Sequence, residues 1–169
     1  MQDAYVTEMC GLLLAQGWRI ERSEVPSAAL PSFLDLYPSA RSFAAEVRSC
    51  VAPGEKVWFL GLSDYLDDSQ NGWRFIEQEI SIPSTEGDPA WRREVEEFWS
   101  RHLPVALHVA DFYSYIAVDR QGAFFLGEEP DFESPELVAS SPDNFVRRLA
   151  REVAEDAGQL RAFIAAASI

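Results

Sequence analysis

Apolar positions recur at helical spacing at the start of this chain. Tyr5, Met9, Leu12 and Leu13 fall on one face between Ala4 and Gln16, with Val6 and Cys10 beside them. Gly17 follows as a natural helix end. Trp18 and Ile20 open a connection that runs to Pro38 and carries prolines at 26, 31 and 38. Leu30, Phe33, Leu34 and Leu36 are expected to tack this segment to the core. Ser39–Val51 then gives the clearest amphipathic pattern, with Ala40, Phe43, Ala44, Val47 and Cys50/Val51 on one stripe, and Pro53-Gly54 stops it. Lys56–Leu62 is nearly all apolar and predicts a buried strand. After a polar turn ending at Asn71-Gly72, Trp73–Ile82 alternates and predicts another strand. Pro83–Gly87 reads as a loop. Asp88-Pro89 then opens a helix with Trp91, Val95, Phe98 and Trp99 as its core stripe, ending before Pro104.

The segment from Leu103 to Leu149 is the densest in signals. Val105–Val109 and Tyr113–Val118 are rich in β-branched and aromatic residues. Asp119-Arg120-Gln121-Gly122 is a polar turn whose glycine accepts positive φ, and Ala123–Leu126 returns as a strand, so Tyr113–Leu126 reads as a hairpin. An acidic loop leads to a short strand at Leu137-Val138-Ala139. Ser141-Pro142 opens the last helix, with Phe145, Leu149 and Val153 as one stripe. That helix runs towards Ala167, with Gly158 placed to kink or split it.

No internal repeat or linker interrupts the chain, so residues 1–169 are expected to form one domain. Strands joined by short turns pair antiparallel. The expected fold class is α+β, a mainly antiparallel sheet of about five or six strands with helices packed on one face.

Charge changes the picture more than composition does. There are 28 acidic and 14 basic residues, a net charge of −14. Nucleic-acid binding needs a basic footprint and anionic membranes attract basic surfaces, so neither partner is expected. The acid is uneven: residues 51–100 hold eleven acids against four bases, and Gln121–Val146 holds six acids and no base. Two readings stand side by side, charge for solubility and an acidic face for a basic partner. No apolar run approaches the roughly 20 residues of a membrane span. Met1-Gln2-Asp3-Ala4-Tyr5 has no basic stretch before an apolar core, so no signal peptide is expected. Cys10 and Cys50 fall in apolar stripes and read as buried thiols of a reducing cytoplasm, although a disulfide stays open at this level.

Candidate chemistry is thin. His102 stands at a helix end and His108 within a strand, and neither has a nucleophile or carboxylate motif beside it. No Gly-x-Ser-x-Gly elbow and no glycine-rich phosphate loop occurs. Asp64, Asp67 and Asp68 offer hard oxygens but lack the spaced ladder of a calcium loop, and a solvated loop is the simpler reading. Glu77 and Glu79 read as one solvent-facing strand side. Catalysis, cofactors and bound metals are therefore not expected. Glu128-Glu129-Pro130-Asp131-Phe132-Glu133 sets an aromatic among four acids. Phe132 is then either an anchor tucked under the loop or an apolar centre with a charged rim, as in an interface hot spot.

The block from Leu103 to Leu149 also carries a family likeness. Its ordered pieces are the proline-led strand Leu103-Pro104-Val105, then Tyr115-Ile116-Ala117-Val118-Asp119 with Gly122 in the turn. Leu137-Val138-Ala139 and a last helix opened by Ser141 and Phe145 complete the set. This pattern resembles the SUKH superfamily, bacterial immunity proteins grouped with fungal Smi/Knr cell-wall regulators and the bacterial Syd protein. The resemblance implies an α+β fold of the same architecture. It implies a non-enzymatic role as a cytoplasmic antidote that binds and neutralises a cognate polymorphic or contact-dependent toxin, often a nuclease or deaminase. The alternative it allows is a Smi/Knr-like regulatory or scaffold module with several partners. An acidic antidote suits a toxin whose surface is basic because its substrate is anionic. The residues expected to face such a partner are Asp64, Asp67 and Asp68 on one loop, and Glu128, Glu129, Asp131, Phe132 and Glu133 on the other. Both loops follow predicted strands, which leaves a shared sheet end open.

Overall fold

The structure, a computed structural model, describes residues 3–66, 76–110 and 112–165. Helix α1 (Ala4–Ala15) leads to strand β1 (Arg19–Arg22). Two short 3-10 turns, Ser27–Ala29 and Ser32–Leu36, then precede α2 (Pro38–Glu46), β2 (Val47–Val51) and β3 (Val57–Phe59). Helices α3 (Leu62–Leu66), α4 (Ile76–Ser84) and α5 (Pro89–Arg101) follow. The chain continues as β4 (His102–Val109), β5 (Tyr113–Asp119), β6 (Phe124–Glu128), β7 (Glu136–Ala139), α6 (Pro142–Glu155) and α7 (Gln159–Ala165). The seven described strands form one antiparallel sheet in sequence order, β1 to β7. The fold is α+β, with helices packed against this sheet.

Register explains which side chains share a face, because residues directly paired across strands point the same way. Cys50 pairs with Phe59, Phe59 with Ala106, Ala106 with Ile116, and Ile116 with Leu126. Phe124, paired with Val118, continues that face. Most of the helices lie on it. Phe43 of α2 and Trp18 approach Phe59 at 6.3 and 5.5 Å between centroids. Tyr5 of α1 meets Phe124 edge-on at 6.3 Å, and Phe145 of α6 stacks on Phe124 at 4.2 Å. The reverse face carries Leu107 and Tyr115, and α5 covers it, with the Trp99 ring 5.1 Å from Tyr115. Tyr115 and Ile116, neighbours on opposite faces, are both fully enclosed. Phe43, Phe98 and Phe145 are all buried, as their stripes predict.

Caps follow the sequence closely. Asp88 accepts the Trp91 amide at 3.0 Å at the start of α5, and Ser141 accepts the Asn144 amide at 3.2 Å at the start of α6. Asp119 Oδ1 accepts from both Gln121 N and Ala123 N at 2.9 Å and closes the hairpin turn. Gly158 divides the last helical stretch into α6 and α7. The expected continuation to Ala167 lies outside the described residues.

Three elements differ from expectation. The stretch Ser39–Val51 is not one helix: α2 ends at Glu46 and Val47–Val51 is strand β2. Val47 and Cys50 stay buried while Arg48 is exposed, because pairing of Ile20 with Cys50 and of Cys50 with Phe59 replaces the helical stripe. The partner strand, Arg19–Arg22, lay within what reads as a plain connection. The alternating stretch Trp73–Ile82 is helical from Ile76, while Trp73–Phe75 and the turn at Asn71-Gly72 lie outside the described residues. Isoleucines at 76, 80 and 82 fit both periods. The helix is the form that buries Ser81, whose hydroxyl accepts Trp99 Nε1 at 2.9 Å, and Pro83 falls within its last turn. The apolar run Lys56–Leu62 is strand only over Val57–Phe59, and Leu62 opens α3. No described helix is long and apolar enough to cross a membrane.

Candidate partner-binding face

The acidic loop between β6 and β7 is held from beneath. Gly127, in β6, faces Tyr115, and a Cβ there would run into the Tyr115 hydroxyl and ring. That close approach lets the Tyr115 hydroxyl pass under the loop and donate to the Phe132 carbonyl. The Phe132 ring lies on the Tyr115 ring at 6.0 Å and 9° and is 1% exposed. Phe132 is therefore the tucked anchor of its loop. Its assignment as an exposed hot-spot centre is corrected, because in this fold the ring is spent on the core and offers nothing to a partner.

Anchoring Phe132 turns the surrounding carboxylates outward or sideways. Glu129 accepts the Tyr113 amide at 3.0 Å through Oε1, while its own amide donates to the Tyr113 carbonyl at 2.9 Å. Glu133 reaches the other way and accepts the indole N–H of Trp91 on α5. Its second oxygen, Oε2, is enclosed and has no hydrogen-bond partner among the described residues. Glu128 and Asp131 are exposed.

Two depressions flank the loop and meet at Ser134. One, of about 330 Å³, is walled by Glu128, Glu129, Asp131, Glu136 and Gln159. The other, of about 320 Å³, is walled by Glu94, Glu97, Arg101, His102 and Glu133. Seven carboxylates thus edge one continuous surface. Its single wall cation among the described residues, Arg101, is bonded to Glu97. His102 lies in the same wall. Its Nδ1 bonds the Phe98 carbonyl at 2.9 Å, its ring stacks on Phe98 at 4.1 Å, and burial holds its pKa below the ordinary histidine range. Glu94, Glu97 and Glu136 were not singled out in the sequence. The signal was present on α5: Glu94, Glu97 and Arg101 recur at i, i+3 and i+7 along one flank of the apolar stripe.

Asp64 does not join this surface. It follows β3 at the end where the Leu60 amide bonds the Val105 carbonyl at 2.8 Å, and its carboxylate accepts the Gly61 amide at 2.8 Å. Glu128 lies at the opposite sheet end, in the row that pairs Ser114 with His108 and His108 with Val57. Asp64 and Glu128 thus stand at opposite sheet ends, and the shared end left open by the sequence does not hold for these two residues. Asp64 borders instead a cavity of about 900 Å³ whose wall mixes Glu21 and Glu24 with Arg22 and Arg48. Asp67 and Asp68 lie outside the described residues, as does the side chain of Glu77.

Cys10, Cys50 and His108 belong to the core. Cys10 and Cys50 are buried and free, and burial raises both thiols. His108 is buried against Phe163 and Phe112. No cluster of three or more His, Cys, Asp or Glu suited to a metal ion occurs among the described residues. Compared with known proteins, the chain matches no family model, no curated protein and no solved structure.

Proposed function

We propose that this chain is an immunity protein, a binding module that neutralises a cognate toxin domain in the bacterial cytoplasm without catalysing a reaction. The observation that carries the reading is the acidic face at Ser134, seven carboxylates around two depressions on a loop fixed by Phe132 and Tyr115. A nuclease-type toxin presents cations to its anionic substrate, and such a face is complementary to it. Rigidity adds to this, since a surface already in its bound shape loses less conformational entropy on association. The ordered motif from Leu103 to Phe145, with its likeness to SUKH proteins, supports the antidote role over a generic acidic binder. The Smi/Knr-like alternative, a scaffold with plural weak partners, uses the same fold but demands no single basic partner.

The first test is protection: co-expression with the toxin domain encoded beside this chain should restore growth. The second is kinetic. Neutralising Glu94, Glu97, Glu128, Asp131 and Glu136 to glutamine or asparagine should slow association with that toxin about tenfold or more at low salt and flatten its salt dependence. Failure to protect removes the antidote role. Protection with unchanged rates in the neutralised protein moves the interface elsewhere on the molecule.

A further inference from the structure

The acidic face has its nearest aromatic, Phe132, turned into the core, yet another apolar side chain stands open beside it. Leu137, in the edge strand β7, is 54% exposed, more than any other large apolar side chain among the described residues. It pairs with Phe125 of β6, and Phe125 pairs with Ala117, two residues from Tyr115. Leu137 and Phe125 therefore share the reverse face with Tyr115. Helix α5 covers that face at Tyr115, but Phe125 is only partly buried and Leu137 is open. Neither side chain is part of the hydrophobic core.

Single exposed apolar residues are ordinary on a protein surface, whereas an adjoining group rimmed by charge marks an interaction site. The His102 ring meets Phe125 edge-on at 5.1 Å, so one apolar step runs from Leu137 through Phe125 to His102. His102 is itself in the wall of the depression that Glu94, Glu97 and Glu133 border, and Glu136 precedes Leu137 in its strand. The arginines at this end of α5 are engaged within the chain: Arg101 is bonded to Glu97, and Arg120 donates to the Ser100 carbonyl at 3.4 Å. The enclosed Oε2 of Glu133, which has no hydrogen-bond partner, is an independent observation at the same border. A carboxylate oxygen taken from water and left unpaired is costly, and a cation arriving at the depression lowers that cost.

We infer that Leu137 and Phe125 form the apolar centre of the partner-binding face, with Glu97, Glu133 and Glu136 as its charged border, and that the partner presents an aliphatic or aromatic side chain flanked by arginine or lysine. Charge complementarity selects this occupant. A second copy of the chain would bring the same acids to the same border, and like charges set against each other oppose that pairing. The border governs how fast the partner arrives, and the covered apolar centre governs how long it stays. The inference rests on the acidic face being a partner-binding surface, but its test needs no toxin, so it can fail while the antidote role stands, or stand while that role fails.

The experiment is an NMR titration of the full chain with two short capped peptides at matched ionic strength. One has a leucine centred between pairs of arginines, and the other has serine in place of that leucine. The leucine peptide should give saturable shifts at the amides of Phe125, Ser134 and Leu137, and at the Trp91 indole N–H that Glu133 accepts. It should bind about tenfold more tightly than the serine peptide. Leu137→Ser, at an exposed position, should melt like the parent and bind both peptides at the weaker level. Glu97→Gln with Glu136→Gln should weaken both peptides alike. Equal affinity of the parent for the two peptides, no binding of either, or an undiminished preference in Leu137→Ser would overturn the inference. So would a parent dimer in sedimentation that Leu137→Ser dissolves, because the apolar step would then belong to a second copy.

Discussion

Phe132 shows how one side chain decides what a loop is for. Its ring is enclosed against Tyr115, and the Tyr115 hydroxyl holds its carbonyl. Phe132→Ala should therefore cost about 3–5 kcal/mol of stability, as a buried aromatic truncation does. Tyr115→Phe should cost about 1 kcal/mol, the net worth of one hydrogen bond. Urea unfolding with matched slopes measures both, and a Phe132→Ala midpoint equal to the parent's would return the ring to the surface. Glu152 is the other decisive residue. It is 4% exposed, yet it accepts from Arg148 Nε at 2.7 Å and from the amides of Leu160 and Arg161 at 2.7 and 3.1 Å. Burial pushes its pKa up, but the bonds from Arg148, Arg161 and Leu160 outweigh it and hold the carboxyl below its ordinary value. A carboxyl whose folded pKa is depressed stabilises the fold above its unfolded pKa and loses that stabilisation as pH falls through the folded value. Stability should thus fall with pH below about 4.5, the ordinary glutamate value. Glu152→Gln should flatten the pH dependence in that window, and denaturation at a series of acidic pH values would show it.

At the scale of elements, α7 depends on a junction rather than on its own length. Seven residues do not make a stable helix alone. The Glu152 carboxylate caps its first turn, and Gly158 at φ +109 brings the chain back so closely that a Cβ there would run into that carboxylate. Gly158→Ala should release α7, with protease cleavage at Arg161 and faster amide exchange at Leu160 as the readouts. Unchanged exchange would show that the junction tolerates a side chain. Sequence legibility divides along the same line. Caps and turns are local, so Asp88, Ser141, Gly122 and Gly158 announced their elements correctly. Strands β1 and β2 were hidden because their evidence is in each other. Ile20 and Cys50 become a pair only when the 29 residues between them fold back. The acidic face was half legible for the same reason: Glu128 to Glu133 are contiguous, whereas Glu94 and Glu97 reach them only through the packing of α5 on Tyr115.

For the molecule as a whole, the sheet is a meander in which every strand pairs with its neighbour in sequence. Its two edges, β1 with Arg19, Glu21 and Arg22 and β7 with Glu136, carry charge that discourages pairing with another sheet. Replacing Arg19 and Glu21 with threonine should leave the melting temperature within a few degrees but increase light scattering on storage, and a clear solution would assign no protective role to that edge. The helices have a longer reach than the strands. Phe145 arrives from α6 to stack on Phe124, on the face where Tyr5 of α1 already rests. A chain still being synthesised is thus expected to leave the Phe124 surface uncovered until residue 145 has left the ribosome. Folding during translation is then expected to finish in one late step, and force measured on stalled chains of increasing length should rise only once α6 has emerged.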